Sequence, residues 1–174
     1  MKNFPHAVSL WLYHLHRVLF VACDLFAVVL HADKGHNLGR GQHSHNIAYA
    51  IILAIVNQEV IIGGEELGIS GYPAFNAAFS AGDALVNAGF DVVCHGTNHA
   101  LDKGRKGLLN CINFWKESYP EITVLGIHDS QESQDDIFIY EQGDFRIAIL
   151  NYTYGTNGIP LPEGMTYAVD LLEE

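Results

Sequence analysis

The chain has 174 residues, with 20 acidic and 9 basic side chains and a formal net charge of -11. This length suits one domain with a substantial core, so we expect a single domain over residues 1–174. The negative charge excludes a nucleic-acid partner from our expectations, because binding to phosphate backbones depends on Lys and Arg. Cys23, Cys94 and Cys111 form no Cys-x-x-Cys pair that could hold zinc, and we interpret them as buried thiols.

The N-terminal segment from Ala7 to Ala32 is apolar but contains several polar interruptions. Charged residues near the centre of a spanning helix cost about 2.5 to 3.5 kcal/mol each on insertion scales. The pattern therefore favours a buried helix followed by a strand, with membrane association through the N-terminus as the alternative. The interrupting residues are His14, His16, Arg17 and Asp24.

Apolar segments and turn signals alternate along the rest of the chain. Their order favours an α/β sheet whose functional groups gather at the C-terminal ends of the strands. Gly89 is placed to cap the C-terminus of the first predicted helix. The predicted elements are a strand at 18–29, a loop at 33–46, a strand at 48–56, a helix at 76–90, a strand at 91–95, a helix around 108–115 ending near Pro120, a strand at 122–127, a hairpin at 137–140 and 145–150, and a loop at 155–164.

Three predicted strands each carry polar side chains that suit a hard or borderline metal ion. Asp24 lies in the first, Asn57 and Glu59 follow the second, and Asn98 and His99 follow the third. Strand ends lie side by side in a parallel or mixed sheet, so these groups are expected to converge on one or two divalent ions. Paired metals would activate water, and a nearby imidazole would protonate a leaving group.

Each of these residues also has a structural interpretation. Asn98 is a common turn former, and His99 is interpreted alternatively as a partly buried ring with one hydrogen bond. Glu59 would then be a solvated strand end, and Asp24 would mean that its segment is not a strand.

Other acidic and histidine residues are assigned no catalytic role. Asp83 and Asp102 are interpreted as helix-start or surface charges rather than as ligands. The histidines of the polar loop fit no standard metal-binding spacing on one element, so a solvated loop is expected there. These are His31, His36, His43 and His45.

Four ordered sequence blocks resemble those of the CapA family of poly-γ-glutamate capsule biosynthesis proteins. The likeness continues through 150–157, whereas residues 1–52 match the family poorly. The blocks are Ala54 to Glu59, Ser70 to Asn76, Ala88 to Val93 and Thr97 to Leu108.

The resemblance implies a calcineurin-like metallophosphatase fold, of which this chain would form part of a four-layer α-β-β-α sandwich. It implies that Glu59 and Asn98 are metal ligands and that His99 is the catalytic imidazole, with Asp24 as a weaker match to a further ligand. The expected cofactors are divalent Mn, Zn or Fe ions, one or two in number. The family's later metal-binding strand would lie beyond Glu174, so an incomplete domain is expected.

The resemblance also implies partners and a location. The expected substrate is an anionic polymer or a phosphoester, and the expected partners are subunits of a capsule synthesis complex. The family resemblance implies the extracytoplasmic face of the cell membrane, and a non-targeting N-terminus would imply the cytoplasm. Two functions stay open: a metal-dependent phosphoesterase-type hydrolase of capsule or cell-envelope metabolism, or a truncated, non-catalytic module that binds a polyanion or a partner subunit.

Overall fold

The computed structural model describes residues 28–33, 49–142 and 145–172. Four strands form the main sheet, in the spatial order β1-β2-β3-β4. β1 runs antiparallel to β2, whereas β2, β3 and β4 are parallel to one another, so their carboxyl ends meet at one edge of the sheet. The mixed α/β class expected from the sequence is confirmed. The strands are β1 Val28–Asp33, β2 Tyr49–Asn57, β3 Val92–Cys94 and β4 Thr123–Leu125.

Helices follow the parallel strands, and a hairpin forms a second sheet. In the described part of the chain no helix is both long and apolar enough to cross a bilayer. The helices are α1 Phe79–Asn87, α2 Gly104–Ser118, the short α3 Gln131–Asp135 and a 3-10 turn at Glu65–Leu67, and the hairpin strands are β5 Ile139–Gln142 and β6 Phe145–Ala148.

Alternating side chains of β3 contact two separate apolar clusters. Val93 packs with Leu108 and Trp115 of α2, while its neighbour Val92 packs with Ile147 of the hairpin. Successive side chains of a strand point to opposite faces, so the main sheet is covered by helices on one face and by the hairpin on the other. β3 is thus enclosed by the helix layer on one face, by the hairpin on the other, and by the strands β2 and β4 at its sides.

α1 lies against α2 through a glycine. A Cβ atom at Gly82 would collide with the ring of Phe114, which is also stacked on Phe79 at 4.9 Å between ring centroids. The missing side chain therefore admits an aromatic ring between the helices. This packing fixes the direction of α2, whose N-terminus lies next to the turn that follows β3.

Most of the predicted elements are present, with shifted ends. α1 begins at Phe79 rather than Asn76, because Ala78 is extended and Asn76 forms a bridge with Ser70. Gly89 adopts a φ of 86°, which confirms its role after the helix C-terminus. α3 and the 3-10 turn are not predicted by the sequence pattern. The strand predicted at 18–29 and the loop predicted at 33–46 lie mainly outside the described residues, as does Cys23, whereas Cys94 and Cys111 are buried as expected.

Candidate functional site

The turn at 96–99 joins the end of β3 to the region where β2 ends. The hydroxyl of Thr97 donates a hydrogen bond to the backbone carbonyl of Glu59 at 2.8 Å and accepts one from the backbone N–H of His99 at 3.2 Å. One side chain thereby joins two strand ends. This hydrogen bonding explains why Glu59 and His99, which are separated along the sequence, lie together.

His99 is paired with a buried carboxylate. Its Nδ1–H donates to Oδ2 of Asp102 at 2.7 Å, and the backbone N–H of Phe75 donates to the same oxygen at 2.8 Å. Only 2% of the Asp102 side chain is exposed. The pairing holds the proton of a neutral ring on Nδ1 and leaves Nε2 unprotonated. The interpretation of Asp102 as a surface charge is therefore wrong, because its carboxylate is enclosed and accepts two hydrogen bonds, although Asp102 does lie just before the start of α2.

The unprotonated edge of the ring faces the second strand end. His99 Nε2 lies 3.9 Å from Oε1 of Glu59, whose side chain is 48% exposed, whereas the His99 side chain is 14% exposed. The ring of Phe75 meets His99 edge-on, with 4.7 Å between centroids. One ring edge is thus held by Asp102 while the other is directed toward a solvent-accessible carboxylate.

Asn98 makes a contact that the sequence did not indicate. Its Nδ2 donates to Oδ1 of Asn157 at 3.2 Å, and Nδ2 of Asn157 lies 3.4 Å from Nδ1 of His99. Asn157 has a φ of 54°, a conformation that Asn tolerates better than most residues. The Asn157-Gly158 pair signals a turn, and such pairs are too common to mark a site.

A buried asparagine attaches the C-terminal region to the same turn. Oδ1 of Asn151 accepts from the backbone N–H of Gly96 at 2.6 Å, and its Nδ2 donates to the Gly96 carbonyl at 3.3 Å. A Cβ atom at Gly96 would lie 2.9 Å from Asn151, and one at Gly126 would collide with the Asn151 amide. The two glycines therefore make room for the side chain that holds residues 96–99 against the segment containing Asn157.

Two nearby polar groups belong to the core or to a different region. His95 is buried and accepts a hydrogen bond from Nε1–H of Trp115 at 3.0 Å; burial lowers its pKa to about 3, so it is neutral. His128 accepts from Ser133 at 3.1 Å and donates to Asp170 at 3.0 Å, which connects α3 to the C-terminal segment. The groove beside His128 includes none of the candidate residues in its lining.

Of the four predicted site residues, Glu59, Asn98 and His99 lie in one cluster, and Asp24 lies outside the described residues. Within residues 49–142 and 145–172, no three His, Cys, Asp or Glu side chains converge closely enough to hold a metal. A centre built from the described residues therefore depends on the amide oxygen of Asn98.

The donor set at this turn fits a divalent ion chemically. The half-exposed carboxylate of Glu59 and the amide oxygen of Asn98 are donors that Mn, Zn and Fe accept. His99 Nε2 lies 3.9 Å from Glu59 Oε1, so the imidazole is next to an ion held by this carboxylate.

Comparison with known families adds an independent finding. The sequence matches the family described as bacterial capsule synthesis protein PGA_cap over residues 40–170, which is about three quarters of the chain. The match includes Glu59, Asn98, His99 and Asn157, whereas Asp24 precedes it. A search of curated proteins found no significant match.

Proposed function

The chain belongs to the CapA family of bacterial capsule synthesis proteins, and on that premise we propose that it is a metal-dependent hydrolase of the phosphoesterase type. Its site would comprise Glu59 and Asn98 as metal ligands and His99 as the acid–base group. We also propose that the helix layer, main sheet and hairpin are part of a four-layer metallophosphatase-like sandwich.

The observation that carries this proposal is the Asp102–His99–Glu59 arrangement. Asp102 accepts a hydrogen bond from Nδ1–H at 2.7 Å, so the atom that exchanges protons with a substrate is Nε2. Nε2 lies on the same side as the exposed carboxylate of Glu59. A ring that is protonated on both nitrogens would give its Nε2 proton to a leaving oxygen next to it and would keep its Nδ1 proton in the hydrogen bond to Asp102.

A metal held by Glu59 and Asn98 would supply the remaining chemistry. When bound, a divalent Mn, Zn or Fe ion polarises a phosphoryl oxygen and lowers the pKa of a water ligand, which makes hydroxide available near neutral pH. Glu59 contributes a hard, negatively charged oxygen and Asn98 a neutral one. His99 would lie beside the reacting group, because Glu59 lies 3.9 Å from its Nε2.

The family description suggests a substrate class and partners. We propose an anionic polymer of the capsule, such as poly-γ-glutamate, or a phosphoester formed during its synthesis. The proposed partners are subunits of a capsule synthesis complex, and the proposed location is the extracytoplasmic face of the membrane.

Hydrolysis of bis(4-nitrophenyl) phosphate by the full chain tests the proposed activity. We expect turnover that requires added Mn²⁺ and that falls by about 10²- to 10⁴-fold in His99→Ala, since general acid–base groups contribute that much. His128→Gln is the matched control, because it alters the other histidine that is paired with a carboxylate. It should keep the activity of the unaltered chain, and thermal unfolding of both variants reports whether they fold.

Absence of Mn²⁺-dependent turnover in folded protein, or equal activity of His99→Ala, would rule out the hydrolase. Binding of poly-γ-glutamate without turnover would then favour the non-catalytic module.

A further inference from the structure

Asn157 touches the site but has no part in the chemistry proposed above. Its side chain is exposed, and its backbone is held at a φ of 54°, a conformation that costs a residue with a Cβ atom roughly 1 kcal/mol or more. Its Oδ1 accepts a hydrogen bond from Nδ2 of Asn98 at 3.2 Å. A backbone conformation that few residues other than Gly, Asn and Asp adopt, and that places one acceptor on a candidate ligand, indicates a positioning function.

The orientation of the Asn98 amide decides what that residue offers to a cation. An amide has a donor end and an acceptor end, and only the oxygen binds a divalent ion such as Mn²⁺. Asn157 engages the donor end of Asn98. The oxygen is consequently the end left for the metal, and a rotation that exchanged the two ends would break the hydrogen bond.

We infer that Asn157 is a positioning residue that fixes the Asn98 amide with its oxygen available to a divalent cation. The inference rests on the proposed function, because it requires Asn98 to be a ligand. Partners that orient metal ligands in this way typically change metal affinity by about 10- to 100-fold when they are removed.

The loop that carries Asn157 is held by hydrogen bonds upstream of it and within it. Upstream, Asn151 is hydrogen bonded to Gly96, at the start of the turn that contains Asn98. At the loop itself, the Thr156 hydroxyl donates to the Ile159 carbonyl at 2.6 Å, and the Ile159 N–H donates to the Thr156 carbonyl at 2.9 Å. These bonds place Asn157 against Asn98 without help from a ligand.

The Asn157 amide also lies close to His99. Nδ2 of Asn157 lies 3.4 Å from Nδ1 of His99, but the proton on Nδ1 is already donated to Asp102. Asn157 therefore acts on this site through its oxygen, which accepts from Asn98. A residue at 157 that keeps an acceptor should keep the function.

Binding of Mn²⁺ to the full chain, followed by the electron paramagnetic resonance signal of free Mn²⁺, tests the inference. Asn157→Gly tolerates the same φ but lacks the acceptor, and we expect Mn²⁺ affinity about 10- to 100-fold weaker than that of the unaltered chain. Asn157→Asp keeps an acceptor and also tolerates this backbone, so it should bind at least as tightly as the unaltered chain. Glu163→Gln is the control at an exposed position of the same region.

The outcomes separate this inference from the proposed function. If Mn²⁺ affinity falls in Asn98→Ala but not in Asn157→Gly, the positioning function is overturned while the metal site stands. Equal weakening in Asn157→Gly and Asn157→Asp also overturns it, because the acceptor would then be irrelevant. If the unaltered chain binds no Mn²⁺, both proposals fail.

A second measurement distinguishes positioning from a purely structural effect. We expect Asn157→Gly to recover activity when Mn²⁺ is raised in proportion to its lost affinity, with an unchanged KM for the phosphodiester. A lower kcat at saturating Mn²⁺ together with a lower unfolding temperature would instead show general damage to the loop and overturn the inference.

Discussion

Asp83 and Asp102, which received the same interpretation from the sequence, have different surroundings in the structure. Asp102 is enclosed and accepts hydrogen bonds from His99 and from the backbone of Phe75, whereas Asp83 accepts a hydrogen bond from the Tyr119 hydroxyl, which raises the pKa of Tyr119. Asp102 precedes α2 and Asp83 lies within α1, and neither position indicates which carboxylate is paired with an imidazole. What distinguishes Asp102 is the imidazole three residues before it.

Replacing Asp102 by Asn tests whether control of the ring proton matters. The amide of Asn can donate to Nδ1, which would move the proton of the neutral ring to Nε2. We expect kcat to fall by about 10- to 100-fold with a small change in Mn²⁺ affinity, because the altered atom contacts the ring and not the ligands. Steady-state kinetics with Mn²⁺ titration measures both.

Asp83→Asn is the matched control, since it removes a carboxylate that is also hydrogen bonded but lies outside the site. Equal activity losses in the two variants would mean that Asp102 contributes only to folding.

At the level of elements, the site depends on how closely three backbone segments approach one another. The turn after β3, the segment after β4 and the segment around Asn151 meet at Gly96 and Gly126. Gly126 has a φ of 84°, and a Cβ atom there would lie 2.5 Å from the backbone nitrogen of Gly96. Glycine is therefore needed at these positions because the segments approach too closely for a Cβ atom, and at Gly126 also because of the positive φ.

Two glycine variants separate those requirements. Gly89 has a φ of 86° but open space around it, so Gly89→Ala carries the conformational cost alone, about 1 to 2 kcal/mol. Gly126→Ala adds a collision with Asn151 and Gly96, and overpacking of this kind costs roughly 1 to 3 kcal/mol more. We expect a larger loss of unfolding free energy in Gly126→Ala, measured by urea denaturation.

Activity should also fall in Gly126→Ala, because the displaced Asn151 holds the turn that carries His99. Equal stabilities of the two variants would show that the close approach at Gly126 can relax without cost.

For the whole molecule, local sequence patterns predicted the elements better than the site. Apolar runs and turn residues indicated β2, the hairpin and the Gly89 cap because those features depend on neighbouring residues. Asn98 and Asn157 are 59 residues apart, and Gly96 and Asn151 are 55 apart, so no local pattern links them. The short α3 was missed because its five residues are all polar and show no apolar period.

The net negative charge of the chain bears on how an anionic substrate would bind at the proposed metal site. A net charge of -11 repels an anionic polymer, and a bound divalent ion would provide local positive charge where the substrate reacts. We therefore propose, as the central claim, that Glu59, Asn98 and His99 form a single metal-dependent site. The turn at 96–99 supplies two of these residues, and the Thr97 hydrogen bond brings the third beside them.

Isothermal titration of Mn²⁺ into the unaltered chain and into Glu59→Gln tests that claim most directly. Glu65→Gln is the control, because Glu65 is an exposed carboxylate in the same region. We expect Mn²⁺ binding that Glu59→Gln weakens by at least about 10-fold and that Glu65→Gln leaves unchanged. Equal Mn²⁺ affinity in all three proteins, or no binding by the unaltered chain, would contradict it.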